Sequence, residues 1–187
     1  MNKRPGPQSL VIVIDDDALV REAISDLLRS VGLQTKVFAS VPEFLEWKLP
    51  DGPSCLVLDV RMPGLSGLDL QTELNKAHVH IPIVFVTGHG DIPMTVRAMK
   101  GGAVDFLAKP FRDQDMLDAV QAGLERDKLR RKSEINTAKL RSAFDSLTPR
   151  EREIMTLVTA VSGVICAFVA RTAFRVVALP ARTALLE

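Results

Sequence analysis

LVIVIDDDALVREAISDLLRSVGLQTKVF, residues 10–38, decides the architecture. The five apolar residues Leu10–Ile14 form a short continuous run, as expected of a strand covered on both faces. The chain then changes period. Asp17 can cap a helix whose apolar positions Val20, Ile24, Leu27, Leu28 and Val31 recur at three- and four-residue spacing, and Gly32 stops it. A second strand, LQTKVF (33–38), follows at once, completing a strand, crossover helix and strand.

The same alternation repeats downstream. Further strand-like runs are CLVLD (55–59), IVFVT (83–87) and VDFLA (104–108). Asp91 and Pro93 open a helix that Gly101 and Gly102 close, with Met94, Val96, Ala98 and Met99 inside it. Those apolar positions read as packing rather than as a cofactor contact. A last helix starts near Asp113 and carries Leu117, Val120 and Leu124. The expectation is an α/β fold: a five-stranded parallel sheet with five helices on its two faces, within about 127 residues.

Composition sets the outer bounds. A chain of 187 residues, 47% hydrophobic and 25% charged, has room for one sizeable core and a smaller second unit. With 24 basic and 23 acidic residues, the net charge of +1 gives no global attraction to nucleic acid. Cys55 and Cys166 lie far apart and form no metal-ligand spacing, so a disulfide framework and a zinc site have no basis. Two cations near the N-terminus precede only five apolar residues, too few for a signal-peptide core, and a cytoplasmic location is expected. After Leu124, LERDKLRRKSEINTAKLRSAFDSL lacks Gly and Pro and continues as a solvated helical linker. Asp127 and Arg131 fall where a coiled coil would want apolar residues.

In such a sheet, functional groups gather at the carboxyl ends of the strands. Strand one ends in Asp15, Asp16 and Asp17, strand three in Asp59, strand four in Thr87 and strand five in Lys109 followed by Pro110. Asp17 is accounted for as a helix cap. The remaining carboxylates repel one another, and a hard divalent cation would neutralise them; magnesium, which keeps several waters, fits best, with manganese as the substitute. Asp59 is then the candidate nucleophile towards phosphorus. Arg61 stands two residues later, where a hydrolase of this kind would carry its general acid, which argues for holding a phosphoryl group rather than turning over a substrate. His78, His80 and His89 have no paired metal spacing.

Together, VIDDD, LVLDVRMPGLSG, IVFVTGHGDIPMTVRAMKGGAVDFLAKPF and LTPRERE resemble two-component response regulators of the FixJ/NarL group, with a CheY-like receiver and a LuxR-type helix-turn-helix output. The resemblance implies a flavodoxin-like receiver with strand order 2-1-3-4-5 over residues 8–127, a helical linker over 128–146 and an output domain starting at 147. It implies that Asp59 is the phosphoacceptor, and that Asp15, Asp16, Asp59 and the backbone carbonyl of Arg61 hold magnesium. Thr87 and Lys109 would meet the phosphoryl group, Phe106 would be the aromatic switch, and the Lys109–Pro110 bond would be cis. A sensor histidine kinase as donor and a homodimer through the fourth-helix and fifth-strand face follow from the same likeness. So does promoter DNA as partner of an intact member; no membrane partner is implied. The protein would be a phosphoacceptor assisting its own phosphorylation and dephosphorylation, not an enzyme.

The end of the chain departs from the pattern. Thr148 and Glu151 form a capping box ahead of Ile154, Leu157 and Val158, a sound opening helix for the output domain. After Ala160 the expected polar turn and basic recognition helix are missing, and the Val, Ala, Arg, Leu and Thr composition is what an out-of-frame reading of GC-rich DNA tends to give, with a natural divergent tail as the alternative. The charge-free run Ile154–Ala170 is at the short limit for a membrane span, and its polar residues argue against one. DNA binding by this chain is therefore in doubt and its DNA-contacting residues are unassigned. The alternative is a receiver acting through protein contacts alone.

Overall fold

The computed structural model describes residues 9–154 apart from His89. Its elements are β1 (Leu10–Ile14), α1 (Ala18–Ser30), β2 (Gln34–Phe38), α2 (Val41–Leu45), β3 (Ser54–Asp59), α3 (Gly67–Lys76), β4 (Ile83–Thr87), α4 (Ile92–Lys100), β5 (Asp105–Ala108) and α5 (Asp113–Asp145). All strand pairings are parallel, in the order β2-β1-β3-β4-β5. The expected sheet is met, with small shifts at strand ends: β3 takes in Ser54, whereas Leu33 and Val104 stand just outside β2 and β5.

Alternation along each strand divides the core in two. Ile12, Ile14, Leu56, Leu58 and Phe85 face Phe44 of α2, Leu70 and Leu74 of α3 and Ala98 of α4. Val11, Val13, Cys55, Val57, Val84 and Val86 face Ile24 and Leu28 of α1 and Met116, Val120 and Leu124 of α5. Every residue of β3 is buried, as a central strand with helices on both sides requires. Each such aliphatic side chain contributes about 1.5–3 kcal/mol by leaving water, so the register is held firmly where the functional groups emerge.

Helix ends follow the expected chemistry. Asp17 accepts from the amide of Leu19 at 2.8 Å, and Asp91 from that of Met94 at 2.8 Å. Gly32 and Gly102 take left-handed backbone at φ 81° and 92°, which only glycine adopts without cost. The helix α4 differs from expectation in which side chains it hides. Met94 packs against the core, but Ile92, Val96 and Met99 are exposed, whereas Ala98 is fully buried. The reason lies on α3: buried Gln71 donates Nε2–H to the Ala98 carbonyl at 3.0 Å, and its amide fills the space above Gly101.

The helix α5 is also less solvated than its composition suggests. Asp127 is buried, and its carboxylate accepts from the Ser54 amide at 3.0 Å, from Arg130 Nη2 at 2.6 Å and from Arg131 Nε at 2.7 Å. Arg131 also reaches Asp51 at 3.1 Å. A charge can be buried when it is paired and bonded in this way. The chain divides into two units at Glu134/Ile135, inside α5. In the second unit, Thr148 and Glu151 form the capping box: the Thr148 amide donates to Glu151 Oε2 at 2.8 Å, and residues 149–154 are helical. The expectations for Leu157, Val158 and the chain after Ala160 fall outside the described residues, as does His89.

Candidate functional site at the carboxyl edge of the sheet

Parallel pairing brings the strand ends level. Ile14 is opposite Leu58, Asp59 opposite Val86 and Thr87 opposite Ala108, so the residues that follow or end these strands share one edge. Asp15 and Asp59 are buried there and Asp16 is exposed; a carboxylate oxygen from each lies within 4.8 Å of the others. Lys109 Nζ pairs with Asp15 Oδ2 at 2.6 Å and stands 3.8 Å from Asp59 Oδ2. Three carboxylates against one ammonium leave the cluster acidic.

The local frame keeps these groups in place. Asp15 Oδ1 accepts the Asp17 amide at 2.9 Å, and Arg21 braces the loop from below by donating to the carbonyls of Asp15 at 2.6 Å and Asp16 at 3.0 Å. Behind Asp59, the Gly67 amide donates to the Val60 carbonyl at 3.1 Å, and a Cβ on Gly67 would collide with the carbonyl oxygen of Asp59. Neither Arg21 nor Gly67 is anticipated by the pattern of strand ends. A glycine opening a helix, where it gives no conformational benefit, is the signal that points to Gly67.

Asp59 carries the unusual chemistry. Its Oδ1 is buried and has no hydrogen-bond partner among the described residues. The carboxyl pKa is pushed up to about 6, chiefly by burial; Lys109 opposes the rise, Asp15 adds to it, and the amides of Arg61 and Val60 oppose it. Burial thus outweighs the carboxylate crowding that the sequence makes evident. An orphan oxygen in a buried, net acidic cluster fits a hard divalent cation, because such an ion supplies the missing partner and cancels the excess charge.

The other anticipated residues lie around this centre. Thr87 is fully buried at the end of β4, and its carbonyl accepts the Lys109 amide at 2.8 Å. Arg61 is exposed two residues beyond Asp59. Phe106, on β5, is half-buried with its ring 6.3 Å from that of Phe85, and the Lys109–Pro110 bond is cis. A groove of about 720 Å³ opens beside Asp16, between the loop after β3 and the starts of α3 and α4; Arg61, Met62, Asp91 and Met94 line it. Asp69 and Arg97 meet across it at 3.5 Å.

Comparison with known proteins agrees with this architecture. Residues 11–121 match the family described as the response regulator receiver domain. The chain is 59% identical to nodulation protein W of Bradyrhizobium diazoefficiens over 151 residues, which is 81% of this chain and 66% of that protein. It is 43% identical to transcriptional regulatory protein FixJ of Azorhizobium caulinodans over 150 residues, 80% of this chain and 71% of the relative. The solved structure of response regulator StyR superposes with a TM-score of 0.76 at 48% identity, covering 81% of this chain and 76% of that one. The chain thus spans about two thirds of the length of the curated relatives it matches.

Proposed function

Because the chain belongs to the response regulator receiver family, we propose that it takes a phosphoryl group onto Asp59 from a sensor histidine kinase and turns that event into transcriptional control. The observation that carries this reading is the buried, unpartnered Oδ1 of Asp59 beside Asp15, Asp16 and Lys109.

In the transfer, an Asp59 carboxylate oxygen forms a bond to phosphorus while the phosphorus–nitrogen bond of phosphohistidine breaks. The electron pair departs with the imidazole nitrogen. Asp15, Asp16, Asp59 and the Arg61 carbonyl would hold magnesium, or manganese in its place, which when bound balances charge between these oxygens and those of the phosphoryl group. Lys109, already 3.8 Å from Asp59 Oδ2, exchanges part of its contact with Asp15 for a phosphoryl oxygen. The Thr87 hydroxyl donates to another oxygen, and the roughly −2 charge now on Asp59 draws the β4–α4 loop inward. Phe106 then turns, changing the α4–β5 face.

On that face Ile92, Val96 and Met99 lie at spacings of four and three residues and are exposed, an unpartnered apolar stripe suited to a second copy of the chain. Residues 8–127 then form the receiver, 128–146 a helical linker and 147 onward an output segment, whose capping box matches the opening of a DNA-binding domain. The second reading, a receiver acting by protein contacts alone, is favoured by the composition after Ala160, which has no Lys, Asn, Gln or Asp. No described helix is long and apolar enough to cross a membrane.

The primary test is incubation with phosphoramidate and magnesium followed by intact mass measurement. One phosphoryl group should add to the wild type and none to Asp59→Asn; equal labelling of both would overturn the assignment. A gel shift of the phosphorylated chain on promoter DNA separates the two outputs, since only DNA binding gives a salt-sensitive shift.

A further inference from the structure

The loop between Thr87 and α4 contains two glycines whose surroundings differ sharply. A Cβ built on Gly88 would meet nothing within 4 Å. A Cβ on Gly90 would stand 2.8 Å from Phe106 Cε1, 3.3 Å from Phe106 Cζ and 3.1 Å from Thr87 Cγ2. Neither glycine has left-handed backbone, so neither is required for its φ. Gly88 has room for a larger residue. Gly90 is small because the Phe106 ring and the Thr87 methyl both press on it.

We propose that Gly90 is a positioning residue of the switch, the point of contact through which movement at Thr87 reaches Phe106. This inference rests on the roles proposed above for Asp59, Thr87 and Phe106. The geometry accounts for the transmission: the Thr87 methyl and the Phe106 ring both border the space that a Cβ at position 90 would take, one at the end of β4 and the other on β5. When the Thr87 hydroxyl turns towards the Asp59 edge, the backbone at Gly90 follows the methyl and changes the room left for the ring. Close packing makes this coupling stepwise, since a ring edge cannot approach a carbon closer than contact distance without leaving its seat. A methyl at position 90 occupies that seat permanently. Phe106 must then take another rotamer whether or not Asp59 is modified, and the ring no longer reports on Thr87.

The assignment is tested by placing a fluorine label on the Phe106 ring and recording its ¹⁹F spectrum before and after saturation with magnesium and beryllofluoride. In the wild type and in Gly88→Ala, the resonance should move on loading. In Gly90→Ala, it should already be displaced in the free protein, and the loading-induced change should fall to less than half. Beryllofluoride affinity should stay within about threefold of wild type, because the nearest atoms a methyl at position 90 would meet belong to the Phe106 ring and the Thr87 methyl. Should Gly90→Ala fold poorly, melting of the Gly90→Ala, Phe106→Leu pair decides the matter: removing Cε1 and Cζ should relieve most of the loss. Identical Phe106 spectra for wild type and Gly90→Ala, or no relief by Phe106→Leu, would overturn the proposal. A wild type that binds no beryllofluoride would instead remove the phosphoacceptor reading. The role of Gly90 would then be decided by whether the resonance of free Gly90→Ala is displaced from that of the free wild type.

Discussion

Asp59 is held in a state that disfavours its own charge. With its pKa raised from 3.8 to about 6 by burial, the folded chain binds a proton that the unfolded chain releases between those values. Without metal, stability is therefore unaffected below about pH 4, falls as pH rises towards 6, and stays reduced above it. Asp59→Asn removes the titration. In chelator-containing buffer it should gain about 2–3 kcal/mol in urea denaturation at pH 7.5, from a shift of about two pKa units, and almost nothing at pH 4. A gain independent of pH would show that burial of the charge is not its source. Most of this centre is legible in the sequence, because Asp15, Asp16, Asp59, Thr87 and Lys109 all stand at strand ends and the strand runs are unmistakable. Arg21, Gly67 and Gly90 are not, since each acts through a contact that only the folded chain creates. An arginine on a helix and a glycine in a loop have many commoner uses.

Strands are easier to read than the sides of helices. A strand buried on both faces shows as an unbroken apolar run, whereas α4 and α5 each carry a polar partner that overrides their hydrophobic pattern. Gln71 pulls Ala98 inward and leaves Val96 and Met99 outside, and Asp127 buries a charge in a segment that reads as solvated. Packing of α5 on β3 is equally close at Gly123, where a Cβ would come within 2.5 Å of Cys55 Sγ. Pro82 Cβ would stand 3.6 Å from the added methyl, an ordinary contact, so the conflict is with the sulfur. Overpacking costs about 1–3 kcal/mol and the better helix propensity of alanine returns about 1. Gly123→Ala should thus lose up to about 2 kcal/mol in chemical denaturation, and in a Cys55→Ala background it should become neutral or slightly stabilising. The same loss in both backgrounds would place the strain elsewhere. Burial, with the nearby Asp127 charge, pushes the Cys55 thiol up to about 12.

At the scale of the whole molecule, the proposed output depends on association. Beryllofluoride with magnesium should raise the mass seen by sedimentation towards that of a dimer. Val96→Glu, which sets a charge in the exposed stripe of α4, should keep phosphoryl uptake within about twofold while weakening the dimer at least tenfold, a loss of about 1.4 kcal/mol. An unchanged dimer would move the interface to another face. The receiver announces itself through many separated segments in a fixed order, while the output is represented by one capped helical start. That contrast is physical: a doubly wound sheet needs most of its residues to be apolar and regularly spaced, whereas base recognition needs only a few side chains on one helix.

The contact between Gln71 and Gly101 has a consequence for how such chains can change by descent. Gly101 has φ −72°, a conformation open to any residue, but a Cβ there would push on the Gln71 amide and disturb its bond to the Ala98 carbonyl. Substitution at 101 before 71 meets an occupied site, whereas shortening 71 first opens it. The two positions should therefore vary together among descendants, and in that order: a lineage with a side chain at 101 should already have lost the glutamine.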